Sequence, residues 1–274
     1  MNNNPCLPKV IDPAAWARFR DLALRNGLNP EDPWVGGYLS YEWHHVRYFF
    51  EAYAGDLSGQ RALEFGCNVG ASSIVLASLG AQVVGVDRDA NVAALAQAQT
   101  SAYGVAGQVN ILHIAETTRL PFPERHFSLI VCNSTLEYVA PQSLAAVQKE
   151  LLRVLAPGGL ILVTSTSNRL WPKEVHSRSW FANYLPRAVD RFLGGKSRQR
   201  GVSPFTVKHG FTGCTLRDKE DGGSTYFAVR ERLGTSAGII AAMRIAALAL
   251  SPFNVTVGML TPSFAMILRR PKAA

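Results

Sequence analysis

Cysteine is scarce in this chain: four in 274 residues, Cys6, Cys67, Cys132 and Cys214, with no C-x-x-C pair among them. That spacing excludes a disulfide-dense scaffold and a paired-cysteine zinc site, and predicts reduced, mostly buried thiols. Long apolar runs are missing too. The longest candidate, Ser236 to Leu250, is broken only by Arg244 and falls short of the roughly 20 residues that span a bilayer. It reads as a buried or interface-seeking helix. No internal repeat or low-complexity tract is present, and the opening residues Met1 to Pro8 carry no basic stretch leading into an apolar one, so no secretory leader is expected and the cytoplasm is the expected compartment. Charge is modest at 18% against 47% hydrophobic residues, the balance of an ordinary folded chain.

The charge that is present is lopsided. The formal net charge is +8, and between Arg169 and Arg200 eight basic residues (Arg169, Lys173, Arg178, Arg187, Arg191, Lys196, Arg198, Arg200) face only Glu174 and Asp190. Such an excess attracts anionic substrates, membrane surfaces or nucleic acid, or simply forms a solvated face. Both readings stand at this point.

Residues 1–58 read as an N-terminal helical cap, with a helical stretch from Asp12 to Arg25, a turn at Asn29 to Pro33, and an aromatic segment from Tyr41 to Tyr53 whose apolar spacing is helical. From residue 59 the pattern changes. Short β-type runs at Arg61–Phe65, Gln82–Val86 and Val109–Ile114 alternate with helical ones at Ala71–Leu79 and Ala90–Ala102. Phe127–Cys132, a helix over Pro141–Leu155 broken by Pro157-Gly158-Gly159, and Leu160–Thr164 follow. Alternation of this kind predicts an α/β, Rossmann-like, doubly wound, mostly parallel sheet, of seven strands once Thr212–Arg217 and Phe264–Arg269 are added. A basic, Trp-rich, substrate-side insertion over 168–210 follows the fifth strand.

In such a sheet ligands sit beyond the carboxyl ends of the strands, so the loop after the first strand is the place to look for a site. A dinucleotide fingerprint needs three glycines as G-x-G-x-x-G, and here those positions hold Gly66, Asn68 and Ala71. The Asn68 side chain crowds the spot where a pyrophosphate would rest. Glu64 places a carboxyl beside it, which repels a diphosphate and suits a cationic ligand.

The stretch Ala62-Leu-Glu-Phe-Gly-Cys-Asn-Val-Gly70 resembles motif I of the class I SAM-dependent methyltransferases, with Asn68 replacing the commoner middle glycine. Val84-Gly-Val-Asp87 resembles motif II. Leu120-Pro-Phe-Pro-Glu-Arg-His-Phe-Ser-Leu-Ile-Val-Cys132 is similar to the lead-in to strand four of the ubiquinone and menaquinone pathway methyltransferases, and Leu152-Arg-Val-Leu-Ala-Pro-Gly-Gly-Leu160 to their turn into strand five. The resemblance implies S-adenosyl-L-methionine (SAM) as cofactor. It puts the methionine moiety over Glu64, Gly66, Cys67, Asn68 and Gly70, the ribose on Asp87, and the adenine between Arg88 and the Ala115-Glu116 pair. Asn133 and Ser134 would face the transferable methyl and the acceptor. Gly158 and Gly159 read as a structural turn.

Methyl transfer needs alignment and a water-poor pocket more than it needs a metal. A hydroxyl acceptor also needs a general base. Of the six histidines, His176 is the candidate, because Asn168-Arg-Leu-Trp-Pro-Lys-Glu-Val-His176 resembles a segment that follows strand five in some bacterial methyltransferases. His176 and Glu174 could equally tie down the insertion; His44 and His45 in the cap are further candidates. Where some quinone-pathway O-methyltransferases read Leu-Glu-His after strand four, this chain reads Leu136-Glu137-Tyr138, so no metal is expected.

The acceptor is expected to be a small molecule, a sugar or a lipid-linked compound, methylated at oxygen. Trp171, Trp180, Phe181 and Tyr184 would suit such a partner or form the insertion's own small core. The apolar Ser236–Leu250 helix adds peripheral membrane contact as a reading. Nucleic acid is not expected, since Asn133-Ser-Thr-Leu136 lacks the Asn/Asp-Pro-Pro-aromatic signature of base methylation. Two rivals remain open: a catalytically silent SAM-binding regulatory or scaffolding module, and an NAD-dependent dehydrogenase. Oligomeric state is not written in these patterns.

Overall fold

Asp12 opens the first helix, α1 (Pro13–Arg25), by accepting hydrogen bonds from the N–H groups of Ala14 and Ala15 at 2.9 and 3.0 Å. Pro13 follows at the first helical position, where a missing N–H costs nothing. The computed structural model describes residues 6–186, 189 and 200–272; four of the basic residues noted above, Arg187, Arg191, Lys196 and Arg198, lie outside them.

Helix α2 (Tyr38–His45) runs into a short α3 (Arg47–Phe49) and a wider π turn over Phe50–Ala54. The sheet and its crossover helices follow as β1 (Arg61–Phe65), α4 (Ala71–Ser78), β2 (Gln82–Asp87), α5 (Ala90–Ala102), β3 (Val109–His113), β4 (Phe127–Asn133), α6 (Pro141–Val154) and β5 (Leu155–Ser167). Beyond the insertion come α7 (Pro204–Gly210), β6 (Thr215–Leu216), α8 (Arg217–Glu220), α9 (Ser224–Arg232), α10 (Ala237–Leu250) and β7 (Ser263–Arg269).

The seven strands are ordered β3-β2-β1-β4-β5-β7-β6, with β1 to β5 parallel and β7 antiparallel to both its neighbours. The central strands are apolar along their length because both faces are covered. One face packs Ile74, Val75, Leu76, Ala96 and the cap residues Leu39, Trp43 and Phe50. The other packs Leu63, Ile130, Val147, Leu151 and Phe264. The cap shares this core: Phe19, Ala23 and Val35 pack with Val69, Leu95 and Ala98, and the backbone N–H groups of Ile11 and Asp12 donate to the Ala102 carbonyl.

Two boundaries differ from those expected, and one of the two readings of the apolar helix falls away. Pro157-Gly158-Gly159 does not separate helix from strand; β5 begins directly at Leu155, and the Pro-Gly-Gly stretch is absorbed where the register against β4 jumps between Phe127 and Leu129. Gly158 takes φ +76° there, a conformation glycine adopts without strain. The strand expected over Thr212–Arg217 shrinks to Thr215–Leu216, because Arg217 already starts α8. The apolar helix over 236–250 is not buried: of α10 only Ile240 is.

Candidate active site

The loop leaving β1 turns through left-handed backbone at Gly66 (φ +76°), Asn68 (φ +47°) and Gly70 (φ +85°). Glycine is required at Gly66 for a second reason. A Cβ there would lie 2.3 Å from Cγ2 of Thr135, so this loop and the one after β4 press together. The N–H groups of Gly66 and Cys67 donate to the Val86 carbonyl at 2.8 and 3.0 Å. Cys67 is buried, and burial pushes its thiol well above the ordinary range; its carbonyl is engaged as well, accepting the Gly70 N–H at 2.8 Å.

Asp87 ends β2 and holds the loop in place. Its Oδ2 accepts the N–H of Asn68 and its Oδ1 the N–H of Asp89, each at 3.0 Å. Each carboxylate oxygen retains a second lone pair, so Asp87 can also accept from a pair of ribose hydroxyls. Arg88, Ala115 and Glu116 are exposed beyond the ends of β2 and β3. Glu116 Oε1 accepts from the N–H and hydroxyl of Thr118 at 2.9 and 2.6 Å, and these bonds, the hydroxyl's foremost, hold its carboxyl below the usual range.

Glu64, the fourth residue of β1, is buried and accepts a hydrogen bond from the Ser73 hydroxyl. Burial pushes it up to about 8, and the neighbouring Glu42 carboxyl adds to the rise. The charge expected of Glu64 from sequence is therefore conditional: at neutral pH its carboxyl holds a proton unless a cation arrives. Asn133, the last residue of β4, is likewise buried. Its Nδ2 donates to Glu42 Oε2 at 2.9 Å and to Ser72 Oγ at 3.3 Å, while its Oδ1 accepts the Thr164 hydroxyl at 2.9 Å. Ser134 follows in left-handed backbone, φ +49°.

The segment after β5 returns to this place. His176 Nε2 lies 3.1 Å from Oε1 of the buried Glu137 and 3.5 Å from Oγ of Ser134. Glu137 is itself oriented, since its Oε1 accepts the Ser167 N–H at 3.1 Å and the Ser134 hydroxyl at 3.3 Å. The hydrogen bond to Glu137 raises the pKa of His176, aided by the charges of Glu137 and Glu174 and opposed by burial. Glu174 does a different job: Oε1 accepts the Ser167 hydroxyl at 2.7 Å and Oε2 the Ser177 N–H at 2.5 Å, which fastens the segment to β5.

His44 and His45 are both exposed and turn their Nδ1 atoms toward carbonyls of their own helix, Ser40 and Tyr41, at 2.7 Å. Neither reaches the site. The insertion's aromatics do not form a private core, for Trp180, Phe181 and Tyr184 are 61%, 58% and 52% exposed.

Sequence reading missed Glu42, Ser72, Ser73, Glu137 and Thr164. Glu42 had a signal: it falls on the stripe of Leu39, Trp43 and Val46, all buried, where an acid has no reason to be unless it has a partner. A cavity of about 230 Å³ elsewhere, lined by Arg61, Gln82, Val109 and His126, opens at the amino ends of the strands. It lies away from the end where α/β sheets bind ligands.

The chain matches the "Methyltransferase domain" family over residues 63–163. It is 32% identical over 216 residues to the ubiquinone biosynthesis O-methyltransferase of Idiomarina loihiensis, covering 77% of this chain and 82% of that one. The Bradyrhizobium enzyme of the same name is 32% identical over 136 residues, 48% of this chain and 51% of the relative. The chain thus spans about half or less of the first curated relatives it matches. Among solved structures, an S-adenosylmethionine-dependent methyltransferase from Mesorhizobium loti shares the fold at TM-score 0.52 and 18% identity, with 82% of this chain and 98% of that chain covered.

Fold, strand order and relatives together define a class I methyltransferase. The chain belongs to the class I SAM-dependent methyltransferase family, whose cofactor is S-adenosyl-L-methionine.

The residues fit that cofactor. Two buried carboxyls, Glu42 and Glu64, stand at the carboxyl ends of β1 and β4, and Oε1 of Glu42 is buried without a hydrogen bond of normal geometry. A sulfonium-bearing amino acid supplies the positive charge that such a pair lacks, whereas a pyrophosphate would be repelled. Glu64 and the Gly66–Gly70 loop would hold the methionine end, and Asp87 the ribose. Among the described residues no group of three His, Cys, Asp or Glu side chains could hold a metal ion.

Proposed function

We propose that this protein methylates a hydroxyl oxygen of a small, aromatic or lipid-linked acceptor, with His176 as general base. The observation that carries the reading is the His176–Glu137 pair at 3.1 Å beside Ser134. When bound, SAM would supply a methyl group already activated on a sulfonium, with the thioether of S-adenosylhomocysteine as the leaving group that keeps the electron pair of the broken C–S bond. The chain's part is to place that oxygen and take its proton. Glu137 accepts from His176 Nε2–H, which selects the tautomer whose Nδ1 is free to receive the acceptor's proton. Ser134 Oγ lies close enough to help position the hydroxyl.

Relatives named for ubiquinone biosynthesis support a quinone-related acceptor. So do the exposed aromatics Trp171, Trp180, Phe181 and Tyr184, which would receive a flat or apolar group.

A lipid-borne acceptor would bring the protein to a membrane surface, and α10 suits one. Ile239, Ile245 and Leu248 are 52%, 69% and 76% exposed, and Phe253 just beyond is 70% exposed. Lys219 and Lys208 donate to the Ser251 and Asn254 carbonyls at the same end, so the apolar face is edged by cations that favour an anionic lipid surface. Trp171 Nε1 donates to the Leu260 carbonyl at 2.7 Å, in a turn that packs against α10, which continues the surface toward the insertion. No helix among the described residues is long and apolar enough to cross a membrane.

The test is mass spectrometry of lipid and aqueous extracts incubated with the protein and methyl-labelled SAM. A labelled methyl ether appearing with S-adenosylhomocysteine is expected. SAM binding with no labelled product in either extract would favour the silent module instead.

A further inference from the structure

Helix α2 carries Glu42 into the interior on the stripe of Leu39, Trp43 and Val46, and its side chain has no exposed surface. Oε2 accepts from Ser72 Oγ and from Asn133 Nδ2, each at 2.9 Å. Oε1 is buried and makes no hydrogen bond of normal geometry. The Tyr38 hydroxyl lies near enough to favour the charged carboxyl, yet does not satisfy that oxygen. The groups facing Glu42 are Tyr38 and Tyr41 from its own helix, Glu64 from β1, Ser72 from α4 and Asn133 from β4. None of them is a cation.

A buried carboxylate oxygen without a donor is costly, and packing alone does not explain it. Had Glu42 served only to clamp the cap to the core, its bonds to Ser72 and Asn133 would suffice, and a neutral Gln would do the same with less desolvation. The two partners also fix its place. Ser72 is the second residue of the helix that follows the Gly66–Gly70 loop, and Asn133 ends β4, so Glu42 stands beside the loop after β1, at the carboxyl ends of the strands.

We propose that Glu42 is a cofactor-binding residue lent by the N-terminal cap: its free Oε1 receives the positive charge of the methionine end of SAM, so that the cap completes the site. This rests on the SAM-binding reading of the loop after β1. Glu42 and Glu64 then form two carboxyl walls, their ionisation opposed in the ligand-free protein by burial and, for Glu64, also by the neighbouring Glu42 carboxyl. Burial pushes Glu42 up to about 7 and Glu64 to about 8. Arrival of the cation ionises them, so binding near pH 7 releases protons to solvent.

The experiment is isothermal titration calorimetry of the full chain and its Glu42→Gln and Glu42→Asp variants with SAM and with S-adenosylhomocysteine. It is run at pH 7 in two buffers of different ionisation enthalpy, with folding checked by circular dichroism. The wild type is expected to release protons on binding SAM; Glu42→Gln is expected to bind SAM about tenfold or more weakly and to release fewer protons. If both ligands weaken, the ammonium is the charge received; if only SAM weakens, it is the sulfonium. Glu42→Asp, which keeps the charge but withdraws it, is expected to lose several-fold and decides the matter should Glu42→Gln not fold. Variants that bind both ligands as tightly as the wild type, with the same proton release, would overturn the proposal. A wild type that binds neither ligand would instead overturn the SAM-binding reading beneath it.

Discussion

Oε1 of Glu137 lies 3.1 Å from Nε2 of His176, joining the turn after β4 to the segment after β5. The carboxylate is the main reason the His176 pKa is raised, and the sign of that shift fixes the pH dependence. A base must be unprotonated to act, so kcat/KM is expected to rise with pH along a limb centred above His's ordinary ~6.5. Glu137→Gln removes the cause and moves the limb to lower pH. His176→Ala is expected to lower kcat by roughly 100-fold or more while SAM affinity, read by calorimetry, stays unchanged. Undiminished kcat would remove His176 from the mechanism.

Asp87 is expected to contribute most of the ribose contact. Asp87→Asn keeps the size but weakens the acceptor, and Asp87→Ala removes it. Loss of hydrogen bonds to a charged group predicts roughly 10- to 100-fold weaker SAM binding for the alanine variant, with a smaller loss for the asparagine. Because Asp87 also accepts from Asn68 and Asp89, the alanine variant is expected to melt at lower temperature too. Equal affinity for all three proteins would take Asp87 out of the site.

Glu42 and Glu64, pushed to about 7 and about 8 by burial, make the ligand-free protein lose stability with alkali. Both are raised above their unfolded values near 4.3, so the folded state binds more protons. Their contribution is fully present below that pH and disappears as pH rises through 7 and 8. Tm by calorimetric scan is expected to fall between about pH 5 and pH 8 in wild type, and less so in Glu64→Gln. A Tm that climbs steadily over that window would contradict the raised values.

If α10 lies on lipid, Ile245→Asp and Leu248→Asp should reduce cosedimentation with vesicles containing anionic phospholipid while leaving Tm within about 1–2 °C of wild type, since both side chains are exposed and surface changes are usually small. Raised salt should weaken the residual binding. Binding that the two substitutions leave intact would point the apolar face at something other than lipid.

The order of strands and helices from Arg61 to Ser167 is legible because parallel strands covered on both faces are short apolar runs, and turn residues punctuate them. The glycine loop is legible for a like reason: left-handed backbone and close approach restrict it to few residue types. Distance in sequence hides the rest. His176 acquires its partner from 39 residues away, and no spacing rule links the two. Glu42 meets Asn133 across 91 residues, and only its place on an apolar stripe hints at it. The Pro-Gly-Gly stretch misleads because local turn chemistry is overridden by pairing with β4. Exposure of α10 is equally opaque, since an apolar helix is written the same way whether it is buried in its own chain or faces another apolar surface.

The central claim is that the turn after β1, with Glu64 beneath it and Asp87 beside it, holds SAM. Calorimetric titration of the purified protein tests this directly. One SAM bound per chain is expected, with S-adenosylhomocysteine competing for the same site and NADH giving no heat. Heat with NADH and none with either sulfur nucleoside would contradict the account.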